Sequence, residues 1–510
     1  MKIFSQFRYD LPASIIVFLV ALPLCLGIAL ASGAPLFAGI IAGIIGGIVV
    51  GAFSGSALGV SGPAAGLATI CFSYISTLGS WEAFLLVVMI AGIIQLAMGY
   101  LKLGTIAYYF PSAVINGMLT GIGCVIIIKQ IPHAIGYNSD FDSEYSEHLF
   151  GNLSLDLLCQ AITPGVILIS SISILLLIFW ESFLSKKYKI FQIIPAPLVV
   201  VILGITQVSL FARGILPFTL EKNQLVEIPT FHSFAEFFGN FKFPDFSQIS
   251  NLQIYSMALV VAIIASLETL LSTEACDKID PQKRVTPTNR ELKAQGIGNI
   301  LSGLIGGLPI TQVIVRSSTN VTFGAKTKLS TILHGFILLI AVITIPALLN
   351  LVPLASLACI LLVIGYKLAK PALFKKMYRL GAEQFVPFII TVIGVVALDL
   401  LKGIGLGMAV AIAFIVFNNF RNSYHRIEDK TATSSNKHMF KLAEEVSFLN
   451  RGSILQMLNN LPGGSDVVID GSHSKVIHHD VVEILKDFQM SAKSKNISLQ
   501  LIGIDFKKLK

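Results

Sequence analysis

Two charged residues stand inside stretches that are otherwise apolar, and they are the first candidates for chemistry. Glu268 lies in the run 257–271 with no other charge inside it. A carboxylate in such surroundings loses its hydration, which suits a group that exchanges a proton or ligates a cation. Ser272, one turn on, and Thr69 can supply further oxygens if the cation is sodium. Arg316 lies one to two turns into the stretch 311–322. An arginine at membrane depth is costly, and its presence marks function by default. The alternative reading is a structural ion pair between Arg316 and Glu268.

Two Gly/Pro-broken stretches accompany these charges. One reads Ser61, Gly62, Pro63, Ala64, Ala65, Gly66; the other reads Gly306, Gly307, Leu308, Pro309, Ile310, Thr311. A helix starting at such a break presents unpaired N–H groups and a partial positive charge. Two such starts facing each other form an anion seat that needs no metal. The first would supply Ser61, Gly62, Ala64 and Ala65, and the second Thr311, Gln312 and Val313, with the Ser61 and Thr311 hydroxyls as extra donors. The alternative is that glycine and alanine here only allow close helix packing. Lys129, near the end of an apolar segment, either snorkels to the surface or draws anions in.

The elements that must hold these residues follow from hydropathy. Of 510 residues, 54% are hydrophobic and 13% charged, and the mean hydropathy is +0.78. A soluble domain carries about 25% charged residues, so the expected solvent is a lipid bilayer. Fourteen apolar segments are expected, at 11–31, 35–53, 62–75, 84–100, 113–131, 159–180, 195–210, 254–271, 294–305, 311–322, 329–346, 348–366, 385–400 and 404–417. The third and tenth are too short and broken to span. Matched breaks in two halves point to an inverted repeat with the binding site between them. Basic residues follow the sixth, eighth, tenth, twelfth and fourteenth segments, so both termini read as cytoplasmic, in a multi-pass protein of the inner (plasma) membrane.

Other classes are disfavoured. The six cysteines show no CxxC spacing, and neither a metal-ligand cluster, a nucleophile–base pair nor a phosphate loop appears, so no enzyme and no cofactor is expected beyond H+ or Na+ as a coupling ion. The net charge of +8 sits in loops and does not point to nucleic acid. The domain boundaries read as 1–420 for the membrane part, 421–436 for a linker and 437–510 for a cytoplasmic domain. In that tail, strands at 439–442, 446–449, 467–470 and 497–504 alternate with helices at 453–461 and 481–492, the pattern of a small α/β unit. At that size it is expected to lean on the membrane part or on a second copy, so a homodimer is expected. The stretch His478, His479, Asp480 reads as a turn and helix cap.

The residues then resemble a known family, the SulP sulfate permeases, relatives of pendrin and prestin. The likeness rests on the stretches 19–23, 54–56, 60–67, 266–272, 289–296, 306–309 and 324–327. It implies an all-α polytopic fold of seven plus seven inverted segments, split into core and gate domains, with a small α/β STAS-like domain. It also implies transport of an inorganic anion with Arg316 beside the seat and an acid at the Glu268 position in the symporters. The wording of the tail resembles the branch associated with bicarbonate. Two departures, Leu24 and the apolar run Val313, Ile314, Val315, make the seat more dependent on backbone donors and less suited to sulfate. Bicarbonate is therefore expected first and sulfate second. The glutamate, in place of the aspartate of sodium-coupled relatives, favours protons. An anion exchanger or a nucleobase permease on the same architecture is the alternative, though nucleobase carriers would place an acid where Arg316 stands.

Overall fold

The computed structural model describes residues 6–105, 111–136, 163–188, 194–230, 239–398, 400–421, 423–427 and 437–504, with Phe191 and Glu236. Backbone polar groups in a bilayer must be satisfied within their own segment, so apolar runs of this length become helices. All fourteen segments are helical: α1 Phe7–Ala31, α2 Leu36–Ile45, α3 Ala65–Leu78, α4 Trp81–Tyr100, α5 Ser112–Ile135, α6 Pro164–Phe179, α7 Ala196–Ala212, α8 Leu252–Ile279, α9 Thr288–Ile305, α10 Ile314–Thr322, α11 Leu329–Thr344, α12 Leu354–Leu368, α13 Ala382–Ala397 and α14 Leu400–Arg421. Helix α2 is prolonged by a π turn, Gly46–Val50. Among the described residues, eight of the continuous helical stretches are long and apolar enough to cross a membrane.

The third and tenth segments are broken as expected. Each opens with a three-residue strand, β1 (Ser61–Pro63) or β2 (Ile310–Gln312), and continues as a half-helix of 14 or 9 residues. Several boundaries moved. Helix α9 starts at Thr288 because its first turn is polar and escapes a hydropathy reading. Helix α12 starts at Leu354 rather than 348, since Pro353 caps it and Pro346–Leu349 forms a separate turn. The basic connection after α12 contains an amphipathic helix, Pro371–Arg379. The start of the sixth segment, 159–162, lies outside the described residues.

Two sets of helices result. In one, α4 lies along α8 and α9, and α1 packs against α2 and α11; in the other, α5 packs against α12 and α13, and α6 against α7 and α12. The α4–α9 crossing is close because it is lined by glycine: a side-chain carbon at Gly296 would lie 2.7 Å from the Leu96 nitrogen. Small residues of this kind let backbones approach where lipid offers no hydrophobic driving force.

The chain divides into two compact units, Met1–Gly407 and Met408–Lys510, with the boundary inside α14. The second unit carries a four-stranded sheet, in the order β3 (Tyr424–Ile427), β4 (Lys437–Leu442), β6 (Asp466–Asp470), β8 (Ser498–Ile502). Strands β4, β6 and β8 are parallel and β3 is antiparallel to β4. Helices α15 (Arg451–Asn459) and α16 (His479–Ala492) contribute Ile454, Leu458, Val481 and Leu485 to a core shared with Phe440 and Ile469. The expected linker is corrected here: residues 424–427 are an edge strand, with Tyr424 edge-on to Phe440 at 5.4 Å, and 428–436 lie outside the described residues. The expected strand at 446–449 is a two-residue pairing, β5 (Glu445–Val446) with β7 (Val476–Ile477), followed by a turn capped between Ser447 and Asn450. His478 caps α16, its Nδ1 accepting from the Asp480 N–H.

Candidate functional site

Strands β1 and β2 pair antiparallel, Ser61 with Gln312, Gly62 with Thr311 and Pro63 with Ile310. The two half-helices leave opposite ends of this pair, so both N-termini sit beside it. Directly opposed residues share a face of the sheet, and the two faces differ sharply in chemistry.

One face is stapled to α8 and α9. Asn299 accepts from the Ile310 N–H at 2.6 Å and donates to its carbonyl at 3.0 Å, and also donates to Gln95 Oε1 at 2.6 Å. Gln295 Nε2 donates to Ser61 Oγ at 2.8 Å and to Glu291 at 3.1 Å. The Glu291 carboxylate also accepts from Ser54 Oγ at 2.6 Å. From α8, Thr273 donates to Gln312 Oε1 at 2.9 Å, and Thr269 Oγ1 accepts from the Gln312 N–H at 3.3 Å. The structure thus turns the Ser61 and Gln312 side chains away from Arg316 and engages them in holding the strands, because a period of two places them behind Gly62 and Thr311. None of Glu291, Gln295 and Asn299 was singled out from sequence. The signal was legible nonetheless: three polar residues at four-residue spacing form one stripe on α9.

The other face carries Arg316. The residue is fully buried, and its guanidinium lies over Gly62 so closely that a side-chain carbon there would be 2.2 Å from Nη1. Its Nη2 is 3.4 Å from Cys25 Sγ, while Nε and Nη1 meet no acceptor within the protein. Thr311 shares this face and is also fully buried.

Glu268 sits at the start of α3. A side-chain carbon on Gly66 would be 2.8 Å from each carboxylate oxygen. The carboxylate thus lies against the first turn of α3, and its Oε2 is buried with no hydrogen-bond partner within the protein. Glu268 and Arg316 form no ion pair among the described residues, which sets aside the structural reading of the two charges. Instead, two glycines of a single motif, Gly62 in β1 and Gly66 in the first turn of α3, each lie beneath a charged side chain brought by another helix. Ser272 is buried one turn beyond Glu268, and α8 packs on α3, where Thr69 is partly accessible. Ala64 is buried, whereas Ala65 and Val313 are partly accessible at the two helix starts.

A cavity of about 1240 Å³ reaches Thr69 from the face carrying the odd-numbered connections, lined there by Gly33, Phe72, Ser73 and Lys129.

The comparisons with known proteins agree with this architecture. A sequence profile described as the Sulfate permease family matches residues 7–391. The candidate sulfate transporter YvdB of Bacillus subtilis is 29% identical over 417 residues, covering 81% of this chain and 74% of that protein. The bicarbonate transporter BicA of Picosynechococcus is 26% identical over 420 residues, covering 80% of this chain and 70% of that one. Among solved structures, the transmembrane domain of a cyanobacterium bicarbonate transporter BicA aligns with a TM-score of 0.63 at 24% identity, over 80% of this chain and 98% of that chain. The overall structure of SLC26A9 aligns with a TM-score of 0.76 at 16% identity, over 99% of this chain and 86% of that chain. Both share the fold.

Proposed function

The chain belongs to the sulfate permease family, and on that footing we propose that it is a secondary active transporter that couples a small inorganic anion to a cation gradient. Membership makes it a membrane anion transporter rather than an enzyme. The anion is held at the starts of α3 and α10, by the backbone around Gly62, Ala64, Ala65 and Val313 with Thr311, under the positive potential of Arg316. Ser61 and Gln312 fix the strands that aim those helix ends. Glu268, with Ser272 and Thr69, takes the coupling proton or sodium ion.

The observation that carries this reading is the Glu268 carboxylate lying against Gly66 at the start of α3, unpaired with Arg316. A bare carboxylate there competes with an anion for the same helix end, since like charges within a few ångströms repel strongly in a low dielectric. A proton or sodium ion on Glu268 removes that repulsion, so each ligand raises the affinity for the other, and that reciprocity is coupling. The half-buried Val313 and Ile314 at the second helix start leave few side-chain donors, which favours bicarbonate over sulfate. Both termini are read as cytoplasmic in the plasma membrane, so the cavity beside Thr69 opens outward; the chain acts as a homodimer, with the tail serving assembly or regulation.

The test is uptake of labelled bicarbonate and sulfate into proteoliposomes under imposed proton or sodium gradients, with Glu268→Gln beside the wild type. The variant should lose gradient-driven accumulation and keep downhill exchange. Because no ion pair is broken, its thermal stability should escape the loss of about 3–5 kcal/mol that an orphaned buried partner would cause. Normal accumulation by a stable Glu268→Gln protein would defeat the coupling role.

A further inference from the structure

We propose that the helix Pro371–Arg379, between α12 and α13, is a docking surface for the headgroups of anionic phospholipids. The inference rests on the chain spanning a bilayer and not on which ion it carries. Ala369 and Lys370 separate this helix from the end of α12, and Leu380 and Gly381 separate it from the start of α13. Tethers that short hold it at the level where both spans end, the interface between hydrocarbon and water. Its inner stripe is apolar. Met377 is buried in a cluster with Ala113, Phe388 and Val392, and Phe374 meets Phe388 edge-on at 5.2 Å. Its outer stripe is basic. Lys375, Lys376 and Arg379 recur at helical spacing and are exposed, as is Lys370 just before the helix.

A second segment adds charge on the same side. Lys186 and Lys187 end the helical stretch that runs on from α6, and Glu181 in that stretch pairs with Lys367 at the end of α12. None of the six other cations forms an ion pair among the described residues. The exposed Glu383, in the first turn of α13, opposes them. Topology alone does not account for this arrangement. A basic excess in a connection orients a span, and it does so whether or not its cations are later paired. Elsewhere in the protein such cations are engaged: Lys278 pairs with Glu274 at 2.5 Å and Arg284 with Asp280 at 2.6 Å. Here they stand unpaired beside apolar side chains that water does not favour. Tyr378 is 70% exposed, with its ring edge-on to Phe385 at 5.3 Å, and Leu380 is 57% exposed. An amphipathic helix lying in the interface buries such side chains at the acyl boundary and sets its cations against headgroups. Clusters of about four to eight Lys and Arg in that position recognise anionic lipid, each cation raising the affinity about five-fold.

The competing occupant is protein, a second copy of the chain covering the same cations. The test titrates the purified full chain in detergent with phosphatidylglycerol or phosphatidylcholine and counts bound lipid by native mass spectrometry. The wild type should bind phosphatidylglycerol in preference to phosphatidylcholine, and ~0.5 M salt should suppress the preference. Replacing Lys375, Lys376 and Arg379 together by Gln should weaken phosphatidylglycerol binding about 100-fold and leave phosphatidylcholine binding unchanged. Lys375→Arg with Lys376→Arg should bind as the wild type does. Tyr378→Ser with Leu380→Ser should weaken both lipids alike. Should the triple variant fail to fold, the single exchanges Lys375→Gln, Lys376→Gln and Arg379→Gln decide, each expected to cost about five-fold. A wild type without the preference, or single and triple variants that keep it, would overturn the proposal. So would displacement of the lipid by inorganic phosphate at equal concentration, which would make the patch a site for free anions. In reconstituted bilayers, phosphatidylglycerol should shield Lys375 and Lys376 from an amine-reactive label that modifies them in phosphatidylcholine. Equal shielding in both lipids would put protein on the patch and overturn the lipid assignment.

Discussion

The two half-helix units, 61–78 and 310–322, share a backbone plan and divide the chemistry unequally. Each opens with a three-residue strand and turns into a helix at an extended residue, Ala64 in one and Val313 in the other. The first brings almost no functional side chains of its own. It offers Gly62 and Gly66 as bare surfaces onto which Arg316 and Glu268 are laid from α10 and α8. The second brings its own arginine, and its strand is gripped by Asn299, Thr269 and Thr273. An inverted repeat thus preserves geometry while its halves specialise, one as a platform and the other as a charged, clamped arm.

That contrast breaks first at the platform. Gly62→Ala puts a carbon 2.2 Å from Arg316 Nη1, and Gly66→Ala puts one 2.8 Å from the Glu268 oxygens. In both cases the displaced atom is the far end of a flexible side chain, so the protein should fold. The two variants should fail differently. Gly62→Ala should raise the anion KM about 100-fold, since a loss of about 2.7 kcal/mol at the seat corresponds to two decades. Gly66→Ala should chiefly lower the ratio of anion accumulated to gradient imposed. Gradient-driven and exchange fluxes, measured with thermal unfolding, check both; identical defects in the two variants would erase the proposed division.

The clamp on the second unit gives a smaller effect. Asn299→Asp keeps an acceptor for the Ile310 N–H but cannot donate to the Ile310 carbonyl or to Gln95. Buried groups left unsatisfied cost about 1–3 kcal/mol each, and the substitution also buries a charge. A loss of at least about 2 kcal/mol in unfolding free energy is expected, with Asn299→Ser losing as much and gaining no charge. A variant as stable as wild type would show that the strand pair holds itself.

Much of this was legible in the sequence. The fourteen segments, the breaks at Pro63 and Pro309, and the two intramembrane charges all announce themselves through hydropathy and cost. What stayed hidden has physical reasons. A three-residue strand is too short for a period of two to show, so Ser61 and Gln312 read as seat donors when they point behind the strands. Hydropathy treats Glu291, Gln295 and Asn299 as the weak start of a span, although their four-residue spacing marks a stripe. The absence of an ion pair between Glu268 and Arg316 depends on which glycine each approaches, and no spacing rule carries that. The edge strand Tyr424–Ile427 was missed because its partner, β4, lies across an intervening polar stretch.

The smallest expected effect concerns how each unit is fastened at its far end. The chain leaves the first half-helix through Gly79 in a left-handed turn, and Ser80 caps the next helix, its Oγ accepting from the Ala83 N–H and donating to the Glu82 carboxylate, both at 3.3 Å. It leaves the second into a charged lock. Asp10 accepts from the Lys326 and Thr327 N–H groups at 2.7 and 3.0 Å, and Arg284 Nη1 donates to the Lys326 carbonyl at 2.9 Å. Arg284 is itself held by Asp280, through Nε to Oδ2 at 2.6 Å and Nη2 to Oδ1 at 3.1 Å. Burial pushes the Asp280 carboxyl upward, but the hydrogen bonds and charge of Arg284 outweigh it and hold the group below its ordinary value of 3.8. The folded protein therefore binds this proton less readily than the unfolded chain. The stabilisation is fully present above about pH 4 and is lost as pH falls through the depressed folded value. Asp280→Asn should cost roughly 1 kcal/mol at neutral pH. The gap in unfolding temperature from wild type should stay constant between about pH 8 and 5 and close only below about 4. A gap that changes between pH 6 and 8 would assign the titration to another group. If the gap behaves as expected while the anion KM of Asp280→Asn also rises, the lock is transmitting strain along α10 to Arg316; if KM is unmoved, the lock only fastens the loop.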